Sequence, residues 1–130
     1  MTYRNYFLSL IIFNLIFITS CYNIRFDNLE YTNLIKFKYQ ITDIRNNCDN
    51  KDISNELEIA NSNLSVMIEY ATHRNERPQI YKSILELQKM FDQLYTKTKH
   101  QNNNTIYCRI KTQNIIDGTN ILLNGMGNLD

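Results

Sequence analysis

Apolar residues recur at alternating steps of three and four through three long stretches of the chain. The first stretch lies between Asp27 and Asn47, the second runs from about Asp52 to His73, and the third follows Pro78, a residue suited to the first turn of a helix. This spacing places apolar side chains on one face of an α-helix. The apolar positions are Leu34, Phe37, Ile41, Ile44 and Cys48, then Ile53, Leu57, Ala60, Leu64, Met67 and Ala71, then Ile80, Ile84, Leu87, Phe91 and Leu94.

The three predicted helices have matched lengths of about 20 residues, or roughly 30 Å. The connections between them are short and polar, and Asp49 or Asn50 is the expected N-cap of the second helix. Helices of equal length with short connections pack as antiparallel neighbours. The sequence therefore predicts an all-α fold, a small up-down bundle of three to four helices.

The segment after the polar run "TKTKHQNNN" fits two structures. A helix from Thr105 to about Leu123 would complete a four-helix bundle. Its buried face would carry Cys108, Ile115, Thr119 and Leu122. A C-terminal β-hairpin is the alternative, because "IIDGTN" is a hairpin turn signal within an alternating pattern. The alternating positions are Ile106, Cys108, Ile110 and Ile116. We favour the helix, since a lone two-stranded hairpin has no sheet to join.

The start of the chain has a different pattern. A short polar stretch with one cation, Arg4, precedes an apolar run from Phe7 to Ile18 that is 12 residues long. This length matches the core of a signal peptide and falls short of the roughly 20 residues that span a bilayer as a helix. The sequence predicts a signal peptide at residues 1–20 and a single helical domain at residues 21–130. An uncleaved anchor is the alternative.

Four residues close this leader: Ile18, Thr19, Ser20 and Cys21. They resemble the lipobox of bacterial lipoproteins, in which an aliphatic residue and two small ones precede an obligatory cysteine. The resemblance implies that the Cys21 thiol is alkylated with a diacylglyceryl group and becomes the mature N-terminus, which anchors the chain to a membrane. It covers none of the mature domain. Ordinary secretion, with cleavage after Ser20 or Cys21, is the alternative.

The chain has three cysteines. Once Cys21 is lipidated or removed, Cys48 and Cys108 remain. The first helix of an up-down bundle ends at the pole where the fourth begins, and these two cysteines sit at those points. Exported domains of this size commonly use such a pair as a disulfide, and we expect one here. The alternative is two buried free thiols.

Composition and motifs argue against several classes of function. With 14 Lys plus Arg against 13 Asp plus Glu, the charge is too balanced for a nucleic-acid partner. His73 and His100 do not stand at the short spacings of zinc ligands, and neither a Gly-rich phosphate loop nor a Gly-flanked Ser is present. We therefore expect no enzyme, cofactor or metal.

Sequons at Asn63 and Asn103 would carry glycans only in a eukaryotic or viral secretory setting.

Two ridges of apolar and aromatic residues exceed what a narrow buried face requires. They comprise Ile59, Val66 and Tyr70 on the second helix and Tyr81, Leu85 and Tyr95 on the third. One interpretation is a patch for a protein partner, because Tyr is favoured at such interfaces. The other is that these residues widen the buried face.

These features predict a small lipid-anchored protein of the cell envelope or cell surface. Its membrane contact would be the lipid on Cys21, and its helical domain would bind an unidentified protein without catalysis. The alternative is a freely secreted helical effector, comparable to four-helix cytokines and stabilised by the Cys48–Cys108 disulfide.

Overall fold

The computed structural model describes residues 27–50, 52–74, 77–100 and 104–127, which form four α-helices. These are α1 (Asn28–Asn46), α2 (Ser54–His73), α3 (Pro78–His100) and α4 (Thr105–Gly127). The all-α prediction is confirmed. The hairpin alternative is wrong, because the segment from Thr105 is one continuous helix and none of the described residues lies in a strand.

The helices form a closed ring of antiparallel neighbours. α1 packs against α2 and α4, and α3 packs against the same two helices. The ring has two ends, which we call the upper and lower poles. The upper pole contains the starts of α1 and α3 with the ends of α2 and α4, and the lower pole contains the opposite ends.

The core lies between the four helices and is built from the predicted stripes. Every predicted stripe residue is buried except Ile80, which is partly buried against the same cluster. Phe37 of α1 and Phe91 of α3 reach across the centre from diagonal helices. Their ring centroids are 6.0 Å apart in an edge-to-face arrangement, and both side chains are fully buried. This contact joins the two helix pairs at the middle of the bundle.

The buried face of α4 contains two threonines within an otherwise apolar stripe. Thr112 and Thr119 are fully buried, and each hydroxyl donates to a carbonyl one turn earlier. The acceptors are the carbonyl oxygens of Cys108 and Ile115, each at 2.7 Å. Both hydroxyls are satisfied within the helix, so neither threonine leaves an unpaired hydroxyl in the core. Their methyl groups can then pack against the apolar residues.

The first two helices differ in how their N-termini are capped. Asp27 caps α1, since its Oδ1 accepts from the backbone N–H of Leu29 and Glu30 at 3.0 and 3.2 Å. The predicted cap of α2 by Asp49 or Asn50 is wrong. The chain continues as a tight turn through Asn50, so α2 begins only at Ser54, whose N–H donates to Asp52 Oδ1 at 3.1 Å.

Candidate functional sites

A disulfide joins Cys48 and Cys108 at the lower pole, with their Cα atoms 5.8 Å apart. Cys48 lies in the turn after α1 and Cys108 in the first turn of α4, and both are buried. Around the bond, Thr105 Oγ1 donates to the Cys48 carbonyl at 3.4 Å, and Arg109 forms an exposed ion pair with Asp49 at 2.6 Å. The predicted pairing is present, and it ties the first turn to the last helix.

A buried charge cluster occupies the upper pole. Asp27 Oδ2 accepts from the Tyr70 hydroxyl at 2.9 Å and from the guanidinium of Arg74, which also lies over the Tyr70 ring. Glu30 is buried beside it, and its Oε2 is 3.7 Å from Arg77 Nη1. That separation permits ion pairing but no hydrogen bond, and Arg77 Nη1 has no acceptor in the described part of the chain.

The two carboxylates of this cluster are shifted in opposite directions. Burial alone would raise the pKa of Asp27, but the Glu30 N–H, the Tyr70 hydroxyl and the charge of Arg74 outweigh it, so this pKa lies below the ordinary 3.8. Burial, followed by the charge of Asp27, raises the pKa of Glu30 above the ordinary 4.5 despite the opposing effect of Arg77. The cluster therefore stabilises the ionised form of Asp27 and destabilises the ionised form of Glu30.

This cluster was not among the sites predicted from the sequence. One local signal was available, because Asp27 is followed three residues later by Glu30, as in a capping box at a helix start. The contacts with Tyr70 and Arg74 come from residues 43 and 47 positions away, and no local pattern encodes them.

The first ridge of the proposed partner patch lies on the flank of α2 that faces α1. Tyr70 is half-buried through its bond to Asp27. On the same flank, Asn63 Nδ2 donates to Gln40 Oε1 of α1 at 3.1 Å. Ile59 and Val66 are exposed at 49% and 54%. This ridge thus offers two free aliphatic side chains beside an anchored tyrosine.

The second ridge belongs to α3 and lies along the seam between α3 and α2, on the opposite side of α2 from the first ridge. Tyr81 and Tyr95 pack against the core, and Leu85 is half-buried. The Tyr95 hydroxyl donates to Glu58, which also accepts from Lys99 at 3.2 Å. The Tyr95 bond, followed by that of Lys99, lowers the pKa of Glu58. The structure does not bring the two ridges together, because they lie on opposite sides of α2.

His73 is the exposed last residue of α2 and His100 ends α3, and the described residues contain no group of three or more His, Cys, Asp or Glu arranged to hold a metal ion. Asn63 is half-buried by its contact with α1, so a glycan there would have to break that contact. Asn103 and the lipobox-like residues Ile18 to Cys21 lie outside the described residues.

Within the four described ranges, no helix is sufficiently long and apolar to cross a bilayer.

Reduction of the disulfide should strongly destabilise the bundle. The bond closes a sequence separation of 60, for which the chain-entropy model gives about 4 kcal/mol of unfolding free energy. Urea denaturation followed by helical circular dichroism, with and without reductant, measures this loss, and the Cys48→Ala, Cys108→Ala variant should match the reduced protein. As a control, Arg109→Ala removes the neighbouring exposed ion pair and should change stability by at most about 0.5 kcal/mol. Equal stability of the oxidised and reduced forms would contradict the prediction.

The Asp27 cluster makes a second, pH-dependent prediction. A carboxyl whose folded pKa is lowered contributes stability that is present above its ordinary pKa and is lost as the pH falls through the folded pKa. Asp27→Asn keeps a capping side chain but loses the charge, and we expect it to cost about 1 kcal/mol at pH 7, a figure discounted because Arg74 is half-exposed.

The difference between wild type and Asp27→Asn should shrink as the pH falls below about 4. Asp27→Ala also removes the cap and should cost about 1 kcal/mol more at every pH. Unfolding free energies from urea titrations between pH 3 and pH 7 test both statements. An Asn variant whose deficit stays constant across this range would exclude the charge as its cause.

No family model, curated protein or solved structure matches this chain.

Proposed function

We propose that this chain is an exported helical module, attached to the cell envelope through a lipid on Cys21, that acts by contacting another protein. The observation that carries the proposal is the buried disulfide between Cys48 and Cys108. Structural disulfides form and persist in oxidising compartments and are rare in the cytosol. The bond therefore supports the export that the apolar leader predicts from an independent part of the chain.

The pairing also bears on Cys21. It engages Cys48 and Cys108, so neither of these thiols is free to pair with Cys21. A cysteine at the end of an apolar leader, preceded by Ile18, Thr19 and Ser20, has the context in which lipid attachment occurs. An intermolecular disulfide through Cys21 would be the other use of this thiol.

The position of α1 predicts how the domain would sit. Six residues, 22–27, separate Cys21 from the start of α1 at Asn28. At no more than about 3.5 Å per residue they reach roughly 20 Å, so a lipid on Cys21 would keep the upper pole close to the membrane. The exposed Ile59 and Val66 of the first ridge would remain accessible on the side of the bundle.

A role in contact with proteins is supported by the distribution of apolar side chains. The space between the helices is filled by aliphatic and aromatic residues around Phe37 and Phe91. A catalytic site in that interior would need several polar groups, and the side chains that fill it are largely apolar. The exposed aliphatic residues of α2 instead offer a surface that a partner could cover.

Intact mass of the mature protein tests the anchor. We expect a mass that corresponds to residues 21–130 plus several hundred daltons of lipid, and Cys21→Ser should move the protein out of the membrane fraction. Ser20→Ala is the matched control, because it keeps the cysteine and a small neighbour and should stay with the membrane. An unmodified N-terminus at Cys21 or Tyr22 would favour the freely secreted effector instead, and an uncleaved chain of 130 residues would contradict both.

Photo-crosslinking tests the contact surface. A photoreactive residue placed at Ile59 or Val66 in the producing cell should yield a discrete adduct with another protein, because both side chains are exposed on one ridge of α2. The same residue at Asp117, an exposed position on the diagonal helix α4, should not yield that adduct. Equal adducts at all three positions, or none at Ile59 and Val66, would contradict a contact surface on α2.

A further inference from the structure

An apolar groove follows the seam between α3 and α4 in the upper half of the bundle. It consists of two adjoining hollows of about 290 and 250 Å³ that share Ser83, Gly118 and Ile121 as lining residues. The other apolar side chains that line the groove are Ile80, Leu87, Met90, Leu122 and Met126. Several of these belong to the core, so the groove opens the edge of the core to solvent along this seam.

Ile121 projects from this groove. Its side chain is 75% exposed, the highest value among the large exposed apolar residues of the described chain. At Gly125, one turn further along α4, an added Cβ atom would meet no neighbouring atom within 4 Å. The seam therefore presents a projecting aliphatic side chain directly beside an apolar hollow.

The rim of the groove carries one charge of each sign. Lys82 and Glu86 of α3 are its only charged lining residues among those described, and both are exposed. They stand four residues apart on one helix face, so about 6 Å separates them along the axis.

We propose that this groove is the interface of a homodimer, in which a second copy of the chain docks antiparallel through the same α3–α4 seam. The two-fold axis crosses the seam midway between Lys82 and Glu86. Rotation about that axis places Lys82 of each copy over Glu86 of the other. It also places Ile121 of each copy over the hollow beside Gly125 of the other.

Charge complementarity is the reason to choose a second copy as the occupant. A two-fold contact must be complementary to itself, and a rim with one Lys and one Glu becomes so when the two helices run antiparallel. A parallel two-fold would place each Lys82 over α4 and leave Glu86 unpaired. The net charge of only +1 also creates little long-range repulsion between copies. This inference is independent of the proposed lipid anchor.

Sedimentation equilibrium of the mature chain over a concentration series tests the dimer, with solvent density matched to any bound lipid and detergent. The wild type should approach twice the chain mass. Ile121→Asp should weaken dimerisation by at least about thirtyfold, because the substitution enters the interface twice. Ile106→Asp is the matched control: Ile106 is 71% exposed on the same helix, outside the groove, and this variant should dimerise as the wild type does.

Charge reversals test the antiparallel arrangement. Lys82→Glu alone and Glu86→Lys alone should each weaken dimerisation, while the double reversal restores it because opposite charges face each other again. A mixture of the two single variants should form heterodimers in preference to either homodimer. A thermal melt of each variant confirms that the bundle remains folded.

Three results would overturn the proposal. These are a wild type that stays monomeric throughout the series, equal behaviour of the two Ile→Asp variants, and a double reversal that dimerises no better than the single ones. A monomeric wild type that binds a different protein through Ile121 would assign the groove to that partner instead.

Discussion

Four apolar stripes with a seven-residue repeat hold this bundle together, and every other feature depends on their register. Steps of three and four keep each stripe narrow, and narrow stripes pack side by side when helices cross at about 20°. The edge-to-face contact of Phe37 and Phe91 joins the stripes of α1 and α3 across the core. Because these rings come from diagonal helices, their contact links the two helix pairs. The poles, the seams and the disulfide then follow from where each helix ends.

The disulfide illustrates this dependence. The helices are 19 to 23 residues long, so their ends are nearly level and the turn after α1 meets the first turn of α4. Cys48 and Cys108 are also positions of the apolar stripes of their helices. Helix packing and the disulfide therefore favour the same arrangement of α1 and α4. The bond adds a covalent link between α1 and α4 to the register that the stripes set.

The parts of the fold that could be predicted from the sequence are those governed by local periodicity and topology. The stripes of α1 to α3 and the cysteine pairing belong to this group. The fate of the last segment was ambiguous, because "IIDGTN" is a hairpin turn signal and Ile106, Cys108, Ile110 and Ile116 alternate along the chain. The segment is a helix, in which the hydroxyls of Thr112 and Thr119 bond to carbonyls one turn earlier, a solution that periodicity does not reveal. The α2 cap was misplaced because several adjacent polar residues can cap a helix, and the length of the preceding turn selects among them.

The candidate sites were less predictable, because they depend on which neighbour each flank of a helix meets. The two ridges looked equivalent in sequence. In the structure the first ridge lies beside α1, whereas the second lies in the seam between α2 and α3. The upper pole shows the same limit, since Asp27 acquires partners from a distant helix end.

This division of the surface has a consequence for function. The exposed ridge of α2 and the groove between α3 and α4 lie on different sides of the bundle, since α2 is diagonal to α4 and turns its ridge toward α1. A second copy seated on the groove would leave Ile59 and Val66 uncovered on both chains. A dimer would then present two copies of that ridge to a partner, and two linked sites bind a repeated or clustered partner more strongly than one site does. The groove and the ridge are thus compatible uses of the same small bundle.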